Sequence, residues 1–232
     1  LFSGKDQGQT NTKSFKEIEE RIPEFCSDSN SFVQVYEGLI ENFMNFATEK
    51  KRKGISQEKS VQMIYDKIMK KVTFSQFMKY RSDLVSIDKK IHSFVSENYD
   101  YLLSQSNSEF LKAFKENPKL LGLSADHLQN ACHQDSLLEI ADGIDNALSS
   151  LIQVLSFQGF KEIGADMWFP MTHFLFLNVN PEHTASLGAY LKQFLLDLPD
   201  NLLPCNRSVQ YNVTMAHSAS SFFQDEMKKH EE

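Results

Sequence analysis

The side chains best suited to chemistry lie in two short segments of the C-terminal half of the chain. In the first, Asp166 follows a Gly-Ala pair and opens an apolar run that carries Pro170. In the second, Tyr211 and Thr214 lie three residues apart and would share one face of a helix. A carboxylate accepts hydrogen bonds from cationic donors, and hydroxyls both donate and accept them. These residues could therefore form a polar surface that faces one partner.

Each of these residues also has a purely structural interpretation. An aspartate shortly before an apolar run commonly caps a helix, because its carboxylate accepts backbone N–H groups. Pro170 fits a helix start, since the first-turn N–H groups have no acceptor within the helix. Trp168 would belong to the core, although an aromatic residue beside an exposed acid is also typical of an interface hot spot. Tyr211 could be a partly buried tyrosine whose hydroxyl has found a partner.

The chain contains no pattern that indicates an enzyme. It has no glycine-rich phosphate loop, no Gly-x-Ser-x-Gly elbow and no His-Glu-x-x-His helix. His127, Cys132 and His133 lie close together in sequence but match no zinc-ligand spacing. We therefore predict no metal, no cofactor and no bond-making chemistry of its own. The three cysteines, odd in number and widely spaced, favour a reducing, intracellular setting over a disulfide framework.

Charge and hydropathy restrict the partners. The formal net charge of −7 argues against broad electrostatic attraction to nucleic acid or anionic lipid. The longest apolar stretch, residues 167–177, is too short to span a bilayer, and no signal peptide is visible. We expect neither nucleic-acid binding nor direct insertion into a membrane.

Apolar residues recur at helical spacing along most of the chain, and prolines (6) and glycines (9) are few for a strand-and-turn architecture. No alternating strand pattern competes with this spacing, so we predict an all-α fold. The predicted helices cover roughly residues 32–46, 56–72, 83–103, 110–114, 135–155, 166–180, 184–198 and 208–224, and a further helix cap is predicted at 124–126.

The predicted organisation is an N-terminal helical bundle packed on a C-terminal helical core. Residues 1–13 are polar and aperiodic, which is typical of a disordered lead-in. The bundle would cover 14–104 and the core 105–226, with 227–232 as a tail. Because the boundary near residues 104–108 is polar and short, we expect a stiff tandem rather than two independent domains.

The C-terminal segment, over roughly residues 105–225, resembles the vacuolar-protein-sorting-nine (Vps-nine) domain. That family is all-helical, and its members are exchange factors for early-endosomal Rab GTPases of the Rab-five type. The resemblance implies a GTPase regulator, cytoplasmic and peripheral to endosomal membranes. The residues that carry the resemblance are Gly164-Ala165-Asp166 with Phe169-Pro170-Met171, Asn178-Val179-Asn180-Pro181, Tyr190, Phe194, Tyr211-x-x-Thr214, Ala219 and Phe222-Phe223.

The resemblance also implies roles for individual residues. Asp166 would enter the nucleotide site of the GTPase, displace magnesium and pair with the phosphate-loop lysine, while Tyr211 would contact the switch region. Pro170, Thr214 and Trp168 would complete the GTPase-binding surface. Because magnesium and that lysine hold the nucleotide phosphates, a carboxylate that claims the lysine weakens the grip on the nucleotide.

The sequence departs from the family pattern at three places. Met167 stands where a second acidic residue is usual, residues 206–210 replace a Gly-Glu pair, and Asn212 replaces an aromatic or apolar residue. Two alternatives therefore stand beside exchange activity. One is a Rab-binding scaffold of the same fold with little or no exchange activity, and the other is an unrelated helical interaction module.

Overall fold

A computed structural model of the chain describes residues 18–49, 56–105, 114, 118–160 and 164–231. Within these ranges every regular element is helical and no strand occurs, which confirms the all-α prediction. The predicted lead-in 1–13, most of the predicted boundary at 104–108, and the predicted short helix apart from residue 114 lie outside the described residues.

The helices of the N-terminal part are α1 (18–27), α2 (Ser29–Glu49), α3 (Gln57–Met69), α4 (Phe74–Tyr80), α5 (Ser82–Glu97) and α6 (Tyr99–Gln105). Those of the C-terminal part are α7 (Gly122–Cys132), α8 (Leu137–Phe157), α9 (Ala165–Val179), α10 (Thr184–Leu191) and α11 (Arg207–Glu231). Two 3₁₀ turns, Pro118–Leu121 and Asp200–Leu202, and one π-helical turn, Lys192–Leu196, connect them.

Several helix bounds differ from those predicted. The expected single helix over 83–103 breaks at Asn98 into α5 and α6, and α7 begins at Gly122, before the expected cap. The helix expected over 184–198 is α-helical only to Leu191 and then widens into the π turn. The last helix continues to Glu231, so residues 227–231 belong to α11.

Local capping chemistry accounts for the starts of two of the N-terminal helices, α3 and α4. The hydroxyl of Ser56 accepts the backbone N–H of Lys59 at the start of α3. Thr73 and Gln76 form a reciprocal capping box at the start of α4. Such bonds satisfy first-turn donors that have no acceptor within the helix, and each contributes about 1 kcal/mol.

One hydrophobic cluster extends through both parts of the chain. Three fully buried tyrosines cross between them by donating hydrogen bonds to backbone carbonyls. The Tyr36 hydroxyl lies 3.2 Å from two carbonyls, that of Val61 in the N-terminal part and that of Leu202 in the C-terminal part, and its one proton is shared between them. The other two bonds are Tyr65 to Phe194 at 2.7 Å and Tyr190 to Val72 at 2.6 Å. A buried hydroxyl bonded in this way fixes the relative position of the two elements that it joins.

A buried carboxylate adds a further link. Asp88, only 1% exposed on α5, accepts the backbone N–H groups of Ala185 (2.6 Å) and Ser186 (3.0 Å) at the start of α10. The Ser186 hydroxyl donates to its second oxygen. Asp88 thus caps α10 from another helix. Its carboxylate accepts first-turn N–H groups that have no acceptor within α10, and its charge interacts favourably with the helix dipole.

The last helix has the most central position. α11 packs against α5, α8, α9 and α10. Its two neighbours α8 and α9 bracket the segment that carries Tyr211 and Thr214. The packing therefore brings the two chemically interesting segments of the sequence to adjacent helices.

Candidate functional site

The site begins at the start of α9. Gly164 occupies the N-cap position with extended backbone (φ −75°, ψ 170°) and supplies no side-chain cap. Asp166 is therefore the second residue of the helix and does not cap it, in contrast to the structural interpretation of the sequence. A negative charge in this first turn still interacts favourably with the helix dipole.

The Asp166 carboxylate is exposed and unpartnered. No side chain or N–H group among the described residues donates a hydrogen bond to it, and none forms an ion pair with it. Its Oδ1 folds back over Gly164, where a Cβ added to the glycine would lie only 2.5 Å away. A glycine at 164 thus leaves room for this orientation of the acid.

Pro170 lies deeper in the helix than the sequence indicated. It is the sixth residue of α9, beyond the first-turn positions whose N–H groups have no acceptor within the helix. An N–H at this position would bond to the Asp166 carbonyl, which therefore has no donor four residues on. Nearer the start of the helix, the Met167 N–H bonds to the Gly164 carbonyl at 3.0 Å. Pro170 thus removes one backbone hydrogen bond from the turn that carries the acid.

Trp168 and Tyr211 meet across α9 and α11. Their ring centroids are 5.4 Å apart and their planes stand at 89°, the edge-to-face geometry that aromatic pairs prefer. Tyr211 is 39% exposed and Trp168 is partly exposed. The structure thus brings two of the predicted residues into contact two positions along the helix from Asp166.

The hydroxyls of the second segment differ in what they bond. Thr214 is partly buried, and its Oγ1 donates to the Gln210 carbonyl at 2.8 Å within the same helix. Its oxygen keeps only its acceptor capacity for a partner. The Tyr211 hydroxyl has no hydrogen-bond partner among the described residues. In this respect Tyr211 differs from the buried Tyr36, Tyr65 and Tyr190.

The structural roles of two residues near the site were not predicted from the sequence. Asn206 accepts the Val209 N–H at 3.0 Å and begins α11. Asn212 is 1% exposed and donates from Nδ2 to Asp145 Oδ1 on α8 at 2.6 Å. An Asn just before a helical stripe is a cap signal that could have identified the first, whereas nothing local pairs Asn212 with Asp145.

A buried histidine lies beneath the exposed face of α9. The ring of His173 is 3.7 Å from that of Phe169 and 4.3 Å from that of Phe222, centroid to centroid. Its Nε2 has no hydrogen-bond partner in the described part of the chain. Burial lowers the pKa of His173 from 6.5 to about 4, because the charged form would lose its hydration.

A separate polar cleft of about 540 Å³ lies away from these residues, between α4, α5, α7 and the α9–α10 junction. Its lining includes His92, Cys132, His133, Asp135 and His183. Among the residues that the structure describes, no three His, Cys, Asp or Glu side chains converge as metal ligands would.

All three cysteines are free thiols. Burial raises the pKa of Cys26 and Cys205 to about 11 and that of Cys132 to about 12. They are therefore protonated at neutral pH and poor nucleophiles. None of the described helices combines the length and apolar character needed to cross a bilayer.

The chain matches no family model, no curated protein and no solved structure. Within the described part of the chain, the site consists of an exposed acid without a partner, an aromatic pair beside it, and the helices α9 and α11 that hold them.

Proposed function

We propose that this chain is a guanine-nucleotide exchange factor domain for a small GTPase of the Rab family, of the early-endosomal Rab-five type. The observation that carries the proposal is the exposed Asp166 carboxylate, which has no partner among the described residues and lies beside the Trp168–Tyr211 pair. An acid at a helix start next to an exposed aromatic surface suits a site that reaches into another protein.

The role of Asp166 follows from its availability. In a loaded GTPase, magnesium and a phosphate-loop lysine hold the nucleotide phosphates. A carboxylate with no internal partner can accept a hydrogen bond from that lysine without breaking a bond of its own. Such a charge-assisted bond contributes about 1.5–3 kcal/mol and changes nucleotide affinity by roughly one to two decades. Exchange is then a population shift toward the nucleotide-free state.

The aromatic pair would supply the contact area. Trp and Tyr dominate interface hot spots, because each contributes a large rigid surface at low entropic cost. Tyr211 would contact the switch region with its hydroxyl still free to bond, and Thr214 would offer an acceptor on the same helix. Pro170, partly exposed on α9, would complete the surface.

The aromatic surface by itself also supports a second function, a Rab-binding scaffold without exchange activity. Met167 favours this alternative, because it stands beside Asp166 where a second acid would strengthen displacement of the nucleotide. The third possibility is a helical module that binds an unrelated partner. The first two functions would place the protein on the cytoplasmic side of endosomal membranes, in endocytosis and vesicle transport.

Release of a fluorescent GDP analogue from a panel of Rab proteins separates these functions. The exchange factor accelerates release from at least one Rab-five-type member, and Asp166→Ala abolishes the acceleration while the fold is retained. Binding to nucleotide-free Rab without acceleration indicates the scaffold. Absence of binding to every Rab contradicts both and leaves the unrelated module.

Measuring both Rab binding and GDP release distinguishes the role of Tyr211 from that of Asp166. We expect Tyr211→Ala to weaken binding to nucleotide-free Rab more than Asp166→Ala does, because Tyr211 contributes contact area. Equal losses of binding with no change in release would contradict this division.

A further inference from the structure

Consecutive residues of α11 face two different helices. Successive side chains on an α-helix point about 100° apart. Tyr211, 39% exposed, meets Trp168 of α9, whereas Asn212, 1% exposed, faces α8. The rotation of α11 about its own axis therefore decides at once where both side chains point.

The Asn212 amide has a directional bond to α8. Its Nδ2 donates to Asp145 Oδ1 at 2.6 Å, while its Oδ1 is buried without a partner among the described residues. Reversing the amide would set its oxygen against the carboxylate, so only one orientation is favourable. A bond from an amide to a carboxylate is also stronger than one between neutral groups.

An apolar residue could fill the same buried volume, but it would not fix an angle, because hydrophobic contacts are non-directional. A polar group at a buried position is costly unless it is bonded, and here the acceptor capacity of the amide oxygen goes unused. Placing such a group directly after Tyr211 gives α11 one preferred rotation against α8.

We propose that the Asn212–Asp145 hydrogen bond is the device that positions Tyr211 against Trp168. Asn212 is a positioning residue: being buried, it acts on a partner only through its neighbour. The expected effect on Rab binding rests on the proposed function, whereas the expected effect on the geometry of the aromatic pair does not.

Trp168 provides a direct probe, because it is the single tryptophan of the chain. Its fluorescence emission therefore reports on the surroundings of this one ring, and Tyr211→Leu gives the reference spectrum for a lost Tyr211 contact. We expect Asn212→Leu and Asp145→Ala to shift the emission toward that reference. Asp145→Asn keeps an acceptor oxygen and should retain the wild-type spectrum.

Ser220→Ala is the matched control. It removes a different buried hydrogen bond of α11, from the Ser220 hydroxyl to the Thr184 carbonyl at 2.7 Å. We expect it to lower the midpoint of urea unfolding while Trp168 emission remains that of the wild type. A shift of equal size in this variant would mean that any loss of a buried bond disturbs the site, and would overturn the proposal.

Binding to nucleotide-free Rab completes the test. We expect Asn212→Leu and Asp145→Ala to weaken it about tenfold, the consequence of losing one charge-assisted bond that orders the hot spot. If Asn212→Leu and Asp145→Ala keep their helical content and leave Trp168 emission unchanged, the positioning role is refuted. If emission shifts as expected but the wild-type protein binds no Rab, the positioning role holds and the proposed function fails.

Discussion

Two aspartates at two helix starts show opposite uses of the same chemistry. Asp88 is buried and accepts two backbone N–H groups and one hydroxyl at the start of α10. Asp166 lies in the first turn of α9, exposed, with no partner among the described residues. Both carboxylates lie where a helix dipole favours negative charge. A saturated carboxylate stabilises the fold, whereas an unsaturated one remains available to another molecule.

The tyrosines repeat this contrast. Tyr65 and Tyr190 are fully buried, and each hydroxyl donates to a backbone carbonyl across the two parts of the chain. Burial raises both pKa values well above 10, so both remain protonated donors. Tyr211 has no such bond among the described residues, and its ring packs edge-to-face against that of Trp168. Asp166 and Tyr211 therefore both keep a hydrogen-bonding group without a partner in the described part of the chain.

Among these variants, we expect the greatest loss of stability from substitution of the buried Asp88. Asp88→Ala removes three hydrogen bonds and leaves two buried N–H groups of α10 without acceptors. We expect the free energy of unfolding to fall by about 3 kcal/mol. Urea unfolding measures this loss. Asp166→Ala should change the same quantity by no more than about 1 kcal/mol, the usual worth of an exposed charge at a helix start.

Equal destabilisation by the two variants would show that Asp166, like Asp88, has a structural role. Far-UV circular dichroism of each variant at low denaturant establishes that the folded baselines are equivalent before the free energies are compared.

His173, which lies beneath the exposed face of α9, should make the stability of the fold depend on pH. Its pKa in the folded chain is about 4, below its usual 6.5. Between these values the unfolded chain binds a proton that the folded chain does not. The stability is therefore complete above pH 6.5 and is lost as the pH falls toward 4. At pH 5 the loss amounts to about 2 kcal/mol.

Unfolding free energies of the wild type and His173→Phe, measured from pH 7 to pH 4.5, test this linkage. The variant should lose less stability than the wild type as the pH falls, because it has no ring at position 173 that must bind a proton on unfolding. An unchanged slope in His173→Phe would show that this ring is not the group that titrates.

Gly164→Ala should change stability least and should act mainly on the orientation of Asp166. Gly164→Ala places a methyl group 2.5 Å from Asp166 Oδ1, so the flexible carboxylate must turn away. An alanine at an N-cap costs up to about 1 kcal/mol relative to glycine. We expect nucleotide release to slow although the acid is still present.

Gly122→Ala is the control for this substitution, because Gly122 also begins a helix and a Cβ there meets no atom within 4 Å. With this variant, the GTPase should release its nucleotide as fast as with the wild type. If both alanine variants slow release equally, the orientation of Asp166 is not what the glycine provides.

The sequence predicted the helices well because their apolar stripes are local signals. It also predicted that Asp166 would stand near a helix start. It could not place Pro170 correctly, because the cap is a glycine, which carries no side chain to mark the boundary. The break at Asn98 accompanies a local contact, in which the Asn98 side chain donates to the Phe94 carbonyl at 3.0 Å, and the apolar periodicity continues across it without a signal.

Contacts between distant segments lay beyond the sequence for a different reason. Trp168 and Tyr211 belong to helices separated by α10, and their meeting depends on how α11 packs between α8 and α9. Asp88 lies in the middle of α5, where no cap is expected, yet it caps another helix. Such pairings are set by the fold as a whole and have no signature at either residue.

The role of Asp166 is tested most directly by GDP release from a responsive Rab-five-type GTPase, measured in the presence of the wild type, Asp166→Asn or Asp100→Asn. Asp100 is also an exposed first-turn aspartate, on α6, which packs against the opposite end of α9 through the Tyr99–Asn178 bond. We expect Asp166→Asn to remove the acceleration of release and Asp100→Asn to retain it. Full acceleration by folded Asp166→Asn would show that the unpartnered carboxylate does not carry the function.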